Sequence, residues 1–233
     1  PGIRNRNSDS LSGYAGGEIM TRILLADDHK IVREGLRNLL EQKGRLNVVA
    51  AVANGTEALD QARELQPEVA ILDITMPGLN GIEVTHRLHN ELPEIHVIIL
   101  SMHSDRQFIL EALRAGARGY VLKDSAYKDL RTAISRVMKG GVYLSPQIMH
   151  VVVDAAITPS DLINDTPYEL LSTREREVLQ MLSEGHKTRE IAESLCVSLK
   201  TIESHRKNIM DKLDLHSIAE LTKYAIRHGL TEL

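Results

Sequence analysis

The chain has one cysteine, Cys196, in 233 residues. No internal disulfide can form, and a reducing cytoplasm suits such a sequence. No hydrophobic run approaches the roughly 20 residues that a membrane helix needs; stretches such as HVIIL at 96–100 are far shorter. No secretory signal, internal repeat or low-complexity tract is visible beyond the first nineteen residues. Basic residues are not in excess: 28 Lys and Arg face 32 Asp and Glu, for a net charge of −4. That excludes a protein that coats nucleic acid by bulk charge, while leaving room for a small local basic surface. There is no G-x-x-x-x-G-K-[ST] run, which excludes a P-loop nucleotide enzyme.

A hydrophobic content of 42% is enough to build cores, and the length suits one large domain or two ordinary ones. Residues 1–19 are rich in Gly, Ser and Asn, lack periodicity, and read as a leader or appended remnant. From Arg22 to Lys139, five short β-branched runs alternate with five amphipathic stretches. The runs are RILLA (22–26), NVVAAV (47–52), VAILD (69–73), HVIILS (96–101) and GYVLK (119–123). This pattern predicts a five-stranded parallel sheet with helices on both faces, over 20–140. The stretch 141–167, with Pro146, Pro159 and Pro167, reads as a linker with one short helix around Gln147–Ala156. Residues 168–233 read as all-helical. A capping box at Ser172–Glu175 opens the first helix and Gly185 ends it; Thr188 and Ser198 are set to cap the second and third, and a fourth spans about Ser217–His228.

Ligands of such sheets bind beyond the carboxyl ends of the strands. Asp27 and Asp28 follow the first run, Asp73 ends the third, Ser101 the fourth and Lys123 the fifth. Capping of the following helices would account for Asp27 or Asp28 alone, but not for Lys123. Three crowded carboxylates call for a cation, and a hard, oxygen-seeking ion such as Mg²⁺ fits. One carboxylate could then attack a phosphoryl group whose charge the ion and the Lys123 ammonium neutralise, with Ser101 placed to hydrogen-bond the product.

ADDH (26–29), LDITMPGLNG (72–81), SMH (101–103) and GYVLKD (119–124) resemble the motifs of a bacterial receiver domain. STREREVLQMLSEG and REIAESLCVSLKTIESHRKNIMDKL resemble the LuxR-type helix-turn-helix. Over Thr21–Leu233 the chain therefore resembles a NarL/FixJ-type response regulator. The resemblance implies a phosphorylation-controlled transcriptional regulator rather than an enzyme, with no catalytic residue beyond the acceptor site. It implies that Asp73 takes phosphate from a sensor histidine kinase. Asp27, Asp28, Asp73 and the Thr75 carbonyl would hold Mg²⁺, with His29 a helix-start residue and not a ligand. Ser101 and Tyr120 match the switch pair, Lys123 binds the phosphate, and Pro77 and Gly81 match the turn after the acceptor. Tyr120 can equally be plain packing. The implied partners are the kinase, double-stranded promoter DNA, RNA polymerase and a second copy when phosphorylated, in the cytoplasm and away from membranes.

In SLKTIESHRKNIMDKL (198–213), Ile202, Ile209 and Leu213 share a narrow stripe at helical spacing. Lys200, Glu203, Ser204, Lys207 and Asp211 gather opposite. Alone, this face reads as solvated surface. After a tight turn at 195–198 it reads as a helix presented to the major groove. Lys207, Glu203 and Ser204 suit base edges; Lys200, Thr201, His205 and Arg206 suit phosphates, with packing competing for Arg206. Arg174 and Lys187 could add backbone contacts. The helical part is near neutral, so binding would lean on local charge and pairing of two copies, for which the fourth helix has an apolar face. The alternative is a receiver that works through protein contacts, with the helical module as scaffold. An aspartyl-phosphate phosphatase would want an acid where Thr75 stands.

Overall fold

The computed structural model describes residues 20–42, 45–157 and 170–231; the leader 1–19, Pro159 and Pro167 lie outside them. The first unit alternates β1 (Thr21–Ala26), α1 (Lys30–Glu41), β2 (Leu46–Val52), α2 (Gly55–Leu65), β3 (Val69–Asp73), α3 (Gly81–Glu91), β4 (His96–Ser101), α4 (Arg106–Arg114), β5 (Gly119–Leu122) and α5 (Ala126–Val137). The period of two along each strand sets the layers. Ile23, Leu25, Val69, Ile71, Ile98 and Leu100 pack on one side with Leu36 and Leu40 of α1 and Leu130 and Ile134 of α5. Leu24, Ala26, Ala70, Leu72, Val97 and Ile99 pack on the other with residues of α2, α3 and α4. Strands buried on both faces need near-continuous apolar runs, as in VAILD.

The sheet is parallel, in the order β2-β1-β3-β4-β5-β6. The sixth strand, β6 (Tyr143–Leu144), exceeds the expected five and falls within 141–167. Two residues carry no period, so sequence pattern could not show it; it forms because it pairs with β5 through Gly119–Tyr143 and Tyr120–Leu144. A short 3-10 turn then leads into α6 (Met149–Ile157), where a helix was expected.

The second unit consists of α7 (Thr173–Ser183), α8 (Thr188–Ser194), α9 (Leu199–Leu213) and α10 (Ile218–Arg227). The Ser172–Glu175 capping box forms on α7 in both directions. Position 187, not Thr188, is the cap of α8, with Glu190 accepting from the Lys187 N–H at 2.9 Å. Leu171, Val178, Leu179, Leu182, Ile191, Ile202, Ile209, Leu221 and Ala225 make its core.

The units meet along α7. Arg176 Nε and Nη2 donate to Glu83 Oε2 of α3 at 2.9 and 2.8 Å, and Arg87 pairs with Glu177. Gln180 Nε2 donates to the Met76 carbonyl at 2.9 Å while its Oε1 accepts from the Asn80 N–H at 3.1 Å. Glu184 Oε1 accepts from the Gly78 N–H at 3.3 Å. Beyond α10, His228 bonds Gln107 of α4, and Gly229 lies so close under the Phe108 ring that a Cβ would collide with it.

Candidate functional site

The chain leaves β1 at Ala26 and delivers Asp27, fully buried, and Asp28 at the surface. β3 ends on Asp73, buried, beneath the same edge. Gly81, which opens α3, passes so near the Asp73 carbonyl that a Cβ there would overlap it. Its N–H donates to the Ile74 carbonyl at 2.8 Å, closing the turn that carries Thr75, Met76 and Pro77. From the end of β5, Lys123 Nζ reaches Asp73 Oδ2 at 2.6 Å and Asp27 Oδ2 at 2.9 Å.

Burial pushes the Asp73 carboxyl up to about 7, Lys123 pulls it back, and Asp27 and Asp28 add to the rise. Burial lowers the Lys123 ammonium, but Asp73 and Asp27 more than offset it and hold it above its usual range. Lys123 thus bridges two of the three carboxylates, and Asp28 lies against His29. Donor atoms of Asp27, Asp28, His29 and Asp73 all lie within 4.8 Å of one another, a separation at which one cation can reach them all. Oxygen donors at that spacing, short of positive charge, fit a hard divalent ion such as Mg²⁺. His29 does begin a helix, as the cap residue of α1, but its side chain makes no capping bond. Its Nδ1 instead lies 2.6 Å from Asp28 Oδ1, so the ring joins the acidic cluster. Nothing in the spacing of ADDH distinguishes those two uses of a helix-start histidine.

Ser101 and Tyr120 are both fully buried and meet at one backbone segment. Ser101 Oγ accepts from the His103 N–H at 3.0 Å, and the Tyr120 hydroxyl donates to the His103 carbonyl at 2.8 Å. Burial pushes the Tyr120 phenol upward. His103 in turn stacks on Phe108, with ring centroids 4.3 Å apart, and Phe108 touches Gly229. Packing and switching therefore need not be alternatives for Tyr120.

The acidic edge opens into a cleft of about 470 Å³, with Asp28, His29 and Thr75 on one side and Glu184, His186 and Thr231 on the other. The second group belongs to the helical unit. No sequence pattern ties these residues to the acids, which lie at least a hundred positions away.

The second candidate surface is α9. The Ser198 hydroxyl caps it, accepting from the Thr201 N–H at 3.1 Å. Ile202 and Ile209 are fully buried, and Leu213 packs on the same core half-exposed. Lys200, Glu203, Ser204, Lys207 and Asp211 form an exposed outer face. Thr201, His205 and Arg206 flank it, half-buried. Arg174 is occupied inside the domain, donating to Glu177 Oε2 at 2.8 Å and to the Leu195 carbonyl at 2.7 Å, whereas Lys187 is exposed. α8 and α9 are joined by a tight turn in which Cys196 takes a left-handed conformation, φ 52°. Two helices set this way present the second to a DNA groove.

Comparison with known proteins identifies both units. Residues 23–135 match the family model of the response regulator receiver domain, and residues 169–225 match that of bacterial regulatory proteins of the luxR family. The oxygen regulatory protein NreC of Staphylococcus aureus (strain JH9) is 38% identical over 215 residues, covering 91% of this chain and 99% of that protein. A LuxR-family response regulator from Aurantimonas sp. SI85-9A1 superposes with a TM-score of 0.57 at 37% identity, covering 60% of this chain and 99% of that one. RcsB of Salmonella enterica serovar Typhimurium, solved bound to a promoter with the phosphomimetic BeF3⁻, gives a TM-score of 0.56 at 30% identity, over 91% and 99% of the two chains. A receiver domain with an acidic edge, joined to a LuxR-type helix-turn-helix and matched by relatives along nearly its whole length, places the chain in the family of two-component response regulators that bind DNA and regulate transcription.

Proposed function

We propose that Asp73 is the phosphoacceptor and that its phosphorylation by a sensor histidine kinase controls how α9 engages promoter DNA. The observation that supports this most is the Lys123 bridge to Asp73 and Asp27, which sets an ammonium against a carboxylate that burial raises to about 7. Asp27, Asp28, Asp73 and the Thr75 carbonyl would hold Mg²⁺, with His29 beside them. When bound, the ion supplies positive charge opposite the phosphoryl oxygens. Asp73 Oδ attacks phosphorus as the bond to the donor imidazole breaks, and the imidazole leaves with the electron pair and takes up a proton. Lys123 stays on the Asp73 side and meets the charge passed to the phosphoryl oxygens. Ser101 Oγ turns from His103 to donate to the new phosphate.

The product carries a charge of about −1.5 to −2 at the sheet edge in place of the Asp73 carboxylate. Releasing Ser101 from His103 loosens the segment that also holds the Tyr120 hydroxyl and Phe108. On the DNA side, Lys207, Glu203 and Ser204 face bases, and Lys200, Thr201, His205 and Arg206 face phosphates, in a homodimer on two half-sites. This reading takes 20–140 as receiver, 141–167 as linker and 168–233 as the DNA-binding domain, in a cytoplasmic protein that contacts RNA polymerase at its promoters. The test is phosphoryl transfer to wild-type protein and Asp73→Asn in Mg²⁺, followed by anisotropy on promoter DNA. The wild type should take label and gain affinity, and the variant should do neither. Equal labelling of both removes the acceptor assignment.

A further inference from the structure

The cleft beside the acidic edge is lined by Asp28 and His29, whose ligand atoms lie within 4.8 Å of the Asp73 carboxylate, and its walls come from both domains, which bears on which phosphodonors can enter. Glu184, His186 and Thr231 of the DNA-binding domain stand across from Asp28, His29 and Thr75. The wall is fixed rather than merely adjacent. Glu184 holds the Gly78 N–H, Gln180 holds both the Met76 carbonyl and the Asn80 N–H, and Arg176 is paired to Glu83 with both side chains buried. All of these anchors lie on the turn after Asp73 or the first turn of α3. Meanwhile the outer face of α9, with Lys200, Glu203, Ser204 and Lys207, stays exposed. Docking of the two domains therefore does not cover the reading helix. What it covers is the side of the acidic edge that Asp28, His29 and Thr75 present.

We infer that the DNA-binding domain selects the phosphodonor: docked, it admits small acyl phosphates and obstructs a protein-borne phosphohistidine until α7 separates from α3. This rests on Asp73 being the acceptor. The cleft, at about 470 Å³, is within the range of roughly 300–1,000 Å³ that holds small ligands. Acetyl phosphate needs no more; its acyl P–O bond breaks as the Asp73 Oδ–P bond forms, and acetate leaves with the electron pair. A phosphohistidine is only one side chain away from its own backbone. The donor domain must therefore bring its surface against the cleft mouth, where the Glu184–His186 wall stands. Protein donors accordingly react only with the undocked fraction, whereas small donors react with both.

The test uses the full-length chain with two substitutions that undo the wall from opposite sides, Glu83→Gln and Gln180→Ala, neither in the phosphoacceptor machinery. Initial labelling rates in Mg²⁺ are measured with acetyl phosphate and with a purified, phosphorylated histidine phosphotransfer domain that labels the wild type. Unchanged circular dichroism shows that each variant is folded, and X-ray scattering reports separation of the domains. The ratio of protein-donor rate to acetyl phosphate rate should rise about tenfold or more with the undocked fraction. The acetyl phosphate rate itself should stay within about twofold, since that donor does not need the undocked form. Domains that separate without changing the ratio, or equal acceleration with both donors, overturn the inference. So do domains that stay docked in both variants, because the named contacts would then not hold the wall. Label on Asp73→Asn matching the wild type instead removes the acceptor reading on which the inference stands, so the two failures are told apart.

Discussion

Replacing Asp73 with asparagine should stabilise the metal-free receiver domain, and the amount can be worked from its surroundings. Burial raises the carboxyl from 3.8 to about 7 even with Lys123 at 2.6 Å. At 1.36 kcal/mol per pH unit, keeping it charged in the fold costs about 4 kcal/mol more than in the unfolded chain. The native state holds a proton that the unfolded chain has already released, so stability must fall as pH rises from about 4 to about 7 and level off above. Asparagine has no charge to desolvate, but it loses the ionic bond to Lys123, so a net gain of roughly 2–3 kcal/mol is expected above neutrality. The assay is urea unfolding in EDTA at pH 5, 6, 7 and 8, following the receiver transition. Wild type should weaken along that series while Asp73→Asn stays nearly level. Saturating Mg²⁺ should then recover the wild type alone, through binding to the native state. Parallel profiles for the two proteins, or equal recovery by Mg²⁺, would show that Asp73 is not the strained member of the cluster.

Three further outcomes follow from the helical domain and its contact with the receiver. Ser198→Ala removes the hydroxyl that caps α9 and should cost about 1 kcal/mol in the unfolding of that domain, read by thermal denaturation. Lys207→Ala should relax base preference, whereas Lys200→Ala should weaken every sequence alike and flatten the salt dependence; titrations on matched and scrambled duplexes at several salt concentrations separate them, and equal loss on all sequences for both would refute the assignment. Burial, with a smaller push from Arg227, holds the His228 imidazole down at about 4, between the Gln107 side chain and the Tyr224 ring. Undocked, it would titrate near its ordinary 6.5, so docking is full above that pH and weakens as pH falls towards 4. Scattering at pH 7.5 and 5 should show the particle lengthening in the wild type and much less in His228→Gln; no change in the wild type would count against it.

Much of this protein could be read before any coordinates. The alternation of VAILD-type runs with amphipathic stretches dictated a doubly wound sheet, because strands covered on both faces can contain little but apolar residues. Strand ends in such a sheet converge, so Asp27, Asp28, Asp73, Ser101 and Lys123 could be assigned to one edge from their positions alone. Ser172, Glu175 and Ser198 announced their helices because capping is a local interaction between residues three apart. These features share a short range in sequence or a strict period. β6 had neither: two residues become a strand only because β5 offers an edge. The turning of the His29 ring onto Asp28, rather than into a cap, was a choice between two local partners that only the packed edge resolved. The joining of Arg176 to Glu83, and of Glu184 to the turn after Asp73, was decided by how two separately built cores came to rest on each other. Charged residues on a helix look alike in sequence whether they face water or another domain, and the difference is fixed only when a surface arrives to bury them.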